Sequence, residues 1–100
     1  MADLIETIVR DNYSLSYTPH GTEGKCRVNR NDFDGALWIT PKDDFTVFDI
    51  ETTGQIENNL NSFLVRRFGR HVSENASGYR LWRVNGQSEL SEVIVQVNNL

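Results

Sequence analysis

The chain of 100 residues has 38% hydrophobic and 10% aromatic side chains, which is typical of a single folded domain (residues 1–100) and excludes extended disorder. Its net charge of −4 disfavours direct nucleic-acid binding, because domains that bind nucleic acid are usually basic. The sequence predicts neither a membrane-spanning helix, which needs roughly 20 apolar residues, nor a signal peptide, and the lone Cys26 excludes an internal disulfide, so we expect a cytoplasmic protein.

Hydrophobic periodicity predicts a short helix and four strands in the first half of the chain. Leu4 and Ile8 stack at helical spacing within residues 2–11. Apolar residues then alternate with polar ones at Tyr13, Leu15 and Tyr17, which is the pattern of a half-buried strand. Further strands are predicted around Cys26 and Val28, from Ala36 to Thr40 and from Phe45 to Glu51.

The second half begins with the clearest helix, predicted over residues 53–68. Thr52 and Gln55 have the spacing of a capping box, and Gly69 is a natural helix end. The predicted buried stripe consists of Ile56, Leu60, Phe63, Leu64 and Phe68. Two more strands are predicted at Tyr79–Val84 and Val93–Val97, joined by a loop from Asn85 to Ser91.

The element order α-β-β-β-β-α-β-β predicts an α+β fold. Short connections between consecutive strands favour antiparallel pairing. We therefore expect a single, mostly antiparallel sheet of about six strands with two helices packed on one face.

The string Asp49-Ile50-Glu51-Thr52-Thr53-Gly54 begins in the last residues of the fourth predicted strand and resembles the first motif of the proofreading-type exonucleases, which have a ribonuclease-H-like fold. The resemblance implies a metal-dependent nuclease in which Asp49 and Glu51 bind Mg²⁺. Residues two apart on a strand project to the same face, so both carboxylates could hold one cation. The resemblance covers six residues.

A two-metal nuclease site needs further carboxylates, and the rest of the chain does not supply them in the pattern of that family. The exonuclease family has two more aspartates downstream, whereas this chain has none after Asp49. Exposed acids on a strand, followed by a helix cap, account for the same string. We therefore predict no metal site, no cofactor and no enzymatic activity, and keep a nuclease that uses Asp49 and Glu51 as an alternative.

His20 and Cys26 are the other candidates for chemistry. His20 lies in a polar loop and could act as a general base, with the nearby Cys26 as a nucleophile. No third residue that would orient them can be identified, so a surface histidine and a buried cysteine are the favoured interpretation.

Both tryptophans are predicted on strands. Core positions are favoured for Trp38 and Trp82, because tryptophan is highly buried on average. Exposed aromatic side chains among arginines can instead stack on bases or anchor a protein partner. That alternative surface would consist of Arg66, Arg67, Arg70, Arg80, Trp82 and Arg83.

The stretch from Asp32 to Glu51 contains six acids and a single base, Lys42. Spaced carboxylates on a rigid scaffold can imitate the charge of a nucleic-acid backbone and occupy a basic groove. Composition alone favours the plainer interpretation, which is a solvated face with no partner. The candidate partner-binding residues are Asp32, Asp34, Asp43, Asp44, Asp49 and Glu51, of which the first four are expected in one patch around the strand Ala36–Thr40.

These observations favour a non-enzymatic protein-binding module. A small acidic chain without a catalytic constellation most often acts by binding another protein, and its class and charge suggest the hypothesis of a stoichiometric inhibitor that blocks a basic nucleic-acid-handling protein. Phage or mobile-element inhibitors of bacterial defence complexes, and immunity proteins against nuclease toxins, are examples of this class. The identity of the partner and the oligomeric state stay open.

Overall fold

A computed structural model of the chain describes residues 3–12, 14–21, 24–74, 76 and 78–100. These residues form three helices, α1 (Asp3–Arg10), α2 (Gly54–Phe68) and α3 (Gly86–Asn98). The six strands are β1 (Leu15–Pro19), β2 (Cys26–Arg30), β3 (Leu37–Lys42), β4 (Val47–Thr52), β5 (Ser73–Glu74) and β6 (Arg80–Asn85). The α+β class is confirmed. Ala2 and Tyr13, which we expected in the first helix and the first strand, lie outside the described residues.

All six strands pair antiparallel in one sheet, in the order β1-β2-β3-β4-β6-β5. The first four strands are neighbours in sequence and in space, because short connections join them. Helix α2 carries the chain from β4 to β6, which pairs with β4 along five residues from Glu51↔Leu81 to Val47↔Asn85. The two-residue β5 forms one edge of the sheet, and β1 forms the other.

Burial alternates along β2 and β6, because the helices cover only one face of the sheet. On β2, Cys26 and Val28 are buried and Arg27 between them is exposed. On β6, Trp82 is buried and Arg83 is exposed. Helix α3 contacts both α1 and α2, and it packs on β4 and β6. The opposite face, called the open face below, is covered by none of the described helices.

Helix α2 buries most of its predicted stripe. Ile56, Leu60 and Leu64 are fully buried in the core. Phe63 and Phe68 are only partly buried, and their rings meet edge to face with centroids 6.1 Å apart. The helix ends at Gly69, whose φ of 82° lies in the left-handed region that favours glycine.

The predicted strand Val93–Val97 and the loop Asn85–Ser91 before it are wrong, because Asn85 ends β6 and helix α3 begins directly after it at Gly86. The buried residues of α3 are Leu90, Val93, Ile94 and Val97, and this spacing is that of a helix face. Val95, between the buried residues, is exposed. The run of β-branched residues thus forms a helix, because its buried side chains recur at helical spacing and face the core from one side of the segment.

The fourth strand begins at Val47 and not at Phe45. Asp43, Asp44 and Phe45 have consecutive positive φ angles of 47°, 57° and 68°, which turns the chain sharply between β3 and β4. The turn brings the Phe45 ring back onto the core, 6.4 Å from the ring of Phe48.

The predicted capping box at the start of α2 is also wrong. Thr52 is fully buried, and Gln55 accepts a hydrogen bond from the backbone N–H of Asp34 instead. The carbonyl of Asp34 accepts the N–H groups of Gln55 and Ile56 at 3.0 and 3.2 Å, so the β2–β3 loop caps the helix. Gly35 and Gly54 meet there, and a Cβ on Gly35 would overlap the carbonyl oxygen of Thr53.

Candidate functional site

One row of side chains crosses the open face of the sheet from edge to edge. The register aligns one residue of each strand, and all of them share the face that the helices leave uncovered. The row consists of Thr18, Arg27, Trp38, Glu51, Leu81 and Ser73. It combines an indole, a guanidinium, a carboxylate and an aliphatic side chain on rigidly paired backbone.

Trp38 is the centre of this row. It is half-buried and lies outside the core on the other side of the sheet. The Lys25 Nζ atom lies 5.5 Å from the centroid of its ring, and the Arg27 guanidinium carbon lies 5.7 Å from it. The His20 ring meets the indole edge to face, with centroids 5.1 Å apart. These four residues, the Trp38 cluster, join an aromatic surface to two cations.

A shallow cleft of about 220 Å³ opens beside the Trp38 cluster. Tyr79, which is 38% exposed, lies on its wall together with Glu51 and Thr53. Among the described residues, the lining of this Trp38 cleft consists of His20, Lys25, Trp38, Glu51, Thr53 and Tyr79. The cleft thus contains hydrogen-bonding groups and charges of both signs.

Asp49 and Arg83 face each other in the next row of the open face, on paired positions of β4 and β6. The Arg83 Nε atom donates to Asp49 Oδ1 at 2.7 Å, and Nη2 donates to Oδ2 at 3.2 Å. The carboxylate raises the pKa of Arg83 through these hydrogen bonds. Asp49 is only 8% exposed, so it presents little charge of its own to solvent.

The string Asp49–Gly54 has a structural role at each of its ends. Asp49 and Glu51 do share a face of β4, as expected, but both oxygens of Asp49 bind Arg83. Thr53 accepts the N–H of Ala36, and Gly54 packs on the β2–β3 loop. Within the described part of the chain, no three His, Cys, Asp or Glu side chains converge in a way that could hold a metal ion.

The four aspartates around β3 lie in two pairs that flank the strand from its two ends. Asp32 and Asp34 precede the strand, and Asp43 and Asp44 follow it. A six-residue strand such as β3 spans about 20 Å at roughly 3.4 Å per residue. The Trp38 cluster lies between the two pairs.

Asp32 is tied to the helical side of the molecule. The guanidinium of Arg30 binds its carboxylate at 2.7 Å and lowers the pKa of Asp32 through this hydrogen bond. The same guanidinium donates to the carbonyl oxygens of Val97 and Leu100, at the end of α3. Asp34, Asp43 and Asp44 are exposed.

The alternative arginine–tryptophan surface is not formed as predicted. Trp82 is 1% exposed in the core, and its Nε1–H donates to the carbonyl of Gly69. Arg66 and Arg67 are exposed on α2, and Arg67 binds Glu92 of α3. Arg80 donates to Asn61, and Arg70 follows α2. The favoured core position of Trp82 is confirmed, whereas Trp38 lies on the open face.

Cys26 and His20 do not face each other. Cys26 is fully buried on the helix-covered face, where burial raises the pKa of its thiol to about 12. His20 is exposed and contacts Trp38 on the open face. A thiol with this pKa is protonated at neutral pH and is a poor nucleophile.

Lys25, Arg27 and Tyr79 are site residues that the sequence analysis did not identify as such. The signal was present in β2, where alternation places Arg27 opposite to Cys26 and Val28. Pairing Arg27 with Trp38 required the register between β2 and β3, which the sequence does not specify.

Comparisons with known proteins add no assignment to this geometry. No family model matches the chain, and neither does any curated protein or solved structure. None of the described helices is long and apolar enough to cross a membrane.

Proposed function

We propose that the protein is a non-enzymatic module that binds a protein partner through the open face of its sheet. The observation that carries this proposal is the half-buried Trp38, which lies at the centre of a face that no described helix covers. Arg27 lies beside it and Tyr79 lies on the wall of the adjoining cleft. Tryptophan, tyrosine and arginine are the residues that dominate the energetic centres of protein interfaces.

The scaffold under this face favours binding. Paired strands hold the side chains of the row in fixed positions, so little backbone entropy is lost when a partner docks. The molecule measures 30 × 29 × 24 Å, so one of its sides is comparable in area with the roughly 800 Å² that each partner buries in a standard interface.

We further propose that the partner is a basic nucleic-acid-handling protein and that the module inhibits it stoichiometrically. The net charge of −4 and the exposed Asp34, Asp43 and Asp44 support this proposal. These aspartates lie beyond the two ends of β3, at the rim of the open face. Charges at the rim of an interface steer a partner of opposite charge and accelerate association.

The first test is capture of a partner from a lysate of the source cell with tagged protein. We expect Trp38→Ala to abolish capture, because it removes the central anchor but no core contact. Val95→Ala is the matched control, because Val95 is exposed on the helical side. Binding through the open face would be contradicted if both variants lost capture to the same extent, or if neither variant lost it.

The second test addresses the acidic rim. The double substitution Asp43→Lys and Asp44→Lys should slow association, and more strongly at low salt than at high salt. Asp11→Lys with Glu74→Lys is the control, because it changes the net charge equally at exposed positions away from β3. If both doubles slow association equally, only the net charge matters and the rim has no specific role.

A further inference from the structure

The Trp38 cleft combines three kinds of group that suit one class of small ligand. Its volume of about 220 Å³ lies below the roughly 300–1,000 Å³ of sites for drug-sized ligands, so its ligand is small or only partly enclosed. The indole of Trp38 and the ring of Tyr79 are aromatic surfaces on its lining. Planar heteroaromatic rings stack on such surfaces.

Lys25 and Arg27 add positive charge beside the same indole. Among the described residues, neither side chain belongs to a salt bridge, whereas Arg10, Arg30, Arg67 and Arg83 each do. Two cations near one ring repel each other, and an anion bound between them removes this repulsion. A phosphate accepts hydrogen bonds from both lysine and arginine.

Glu51 and Thr53 supply hydrogen-bonding groups on the lining of the cleft. A carboxylate accepts a hydrogen bond from the exocyclic amino group of a base such as cytosine. The Thr53 oxygen already accepts the N–H of Ala36, and its own hydroxyl hydrogen is a donor. This pair of groups favours a base that carries an amino group over uracil.

We propose that the Trp38 cleft binds a free mononucleotide, with the base against Trp38, the phosphate at Lys25 and Arg27, and an amino group of the base at Glu51. A carboxylate ligand would contact the two cations but not the indole, and an uncharged ring would contact the indole but not the cations. The net charge of −4 disfavours a long polyanion, so the occupant is a single nucleotide. The nucleotide and the proposed protein partner would both contact Trp38 and Arg27, so we expect them to compete for the open face.

The test is a titration of the ¹⁵N-labelled protein with cytidine monophosphate, followed by NMR. The chain has two tryptophans, so two indole N–H signals are expected, and Trp38→Phe assigns them. We expect the Trp38 signal to shift and that of the buried Trp82 to stay. Cytidine and ribose 5-phosphate, which lack the phosphate and the base respectively, should each bind about tenfold more weakly, and uridine monophosphate should bind more weakly than cytidine monophosphate.

Charge variants and an oligonucleotide complete the test. Lys25→Ala with Arg27→Ala should weaken binding about tenfold, because the loss of two cationic contacts to phosphate is of this order. Arg66→Ala with Arg70→Ala removes the same charge outside the cleft and should have no effect. Equal affinity for ribose 5-phosphate and cytidine monophosphate would overturn the proposal, and so would tighter binding of oligocytidine than of the mononucleotide. Nucleotide binding and partner capture by the wild-type protein are measured in separate assays, so either proposal can fail while the other holds.

Discussion

The Arg83 guanidinium lies over the Asp49 carboxylate, with two hydrogen bonds between β6 and β4, and leaves Asp49 8% exposed. Arg83→Ala would leave a carboxylate largely buried without its ionic partner, which destabilises a fold more than loss of both partners does. We expect the midpoint of thermal unfolding to drop by several degrees. Arg27→Ala, on the same face but outside any salt bridge of the described residues, should leave it nearly unchanged.

A double-mutant cycle isolates this pair from the individual substitutions. The variant that carries both Asp49→Ala and Arg83→Ala should recover part of the stability lost in Arg83→Ala alone, because the uncompensated carboxylate is gone. Strictly additive losses in chemical denaturation would show that the two side chains do not interact in solution.

Two positions on α2 test the depth of the core. Leu60 is fully buried, so Leu60→Ala should lower the free energy of unfolding by about 2–5 kcal/mol. Phe63 is only partly buried, so Phe63→Ala should cost less than the 3–5 kcal/mol or so typical of a fully buried phenylalanine. Urea denaturation measures both losses of stability. If Phe63→Ala lost more than Leu60→Ala, the face of α2 that carries Leu60 would not be the one in the core.

The Cys26 thiol provides a probe of global opening. It is fully buried with a pKa raised to about 12, so a thiol reagent at pH 8 should label the native protein very slowly. Labelling should be fast in urea and should accelerate in Leu60→Ala, because only opened molecules expose the thiol. Rapid labelling of the native wild-type protein would mean that β2 is accessible from outside.

The contact between Arg67 and Glu92 links α2 to α3 and depends on pH. Hydrogen bonding to Arg67 lowers the pKa of Glu92 below its ordinary value of 4.5. A carboxylate with a depressed folded-state pKa stabilises the fold above its unfolded pKa, and this stabilisation is lost as pH falls through the folded value. We expect Glu92→Gln to melt earlier than wild type at pH 7, and at the same temperature once the pH has fallen below the folded-state pKa of Glu92. A difference in melting that persists in acid would assign the effect to packing rather than to charge.

The sequence predicted what local periodicity determines. Strands β1 to β4 and helix α2 follow from alternation, turn residues and an apolar stripe near the predicted positions. Helix α3 was missed because Val93-Ile94-Val95 has high strand propensity, although Leu90 and Val97 complete a helical spacing with Val93 and Ile94. The propensity of three residues was outweighed by burial along one side of the whole segment.

The candidate site depended on non-local geometry. Alternation shows that Arg27 projects from one face of β2 and Trp38 from one face of β3. Only the register between the two strands shows that both side chains lie on the same face of the sheet. That face is open only if every helix packs on the opposite side of the sheet. The position of α3, which the sequence did not predict, is therefore needed together with those of α1 and α2. The acidic residues were identified from composition. The sequence did not show that Asp32 binds Arg30 of β2, or that Asp49 binds Arg83 of β6.

The close contact of Gly35 with Gly54 limits how this sequence can diverge. A side chain at either position would overlap the backbone of the other loop, and both residues have positive φ, so substitution is doubly unfavourable. Asp34 contributes to the same junction only through its backbone carbonyl and N–H, and other residue types can replace it. Distant relatives with the same fold should therefore retain this pair of glycines, one after β2 and one at the start of α2, even where the residues of the open face have changed. The pair is thus a more durable signature of ancestry than any residue proposed here to bind a ligand.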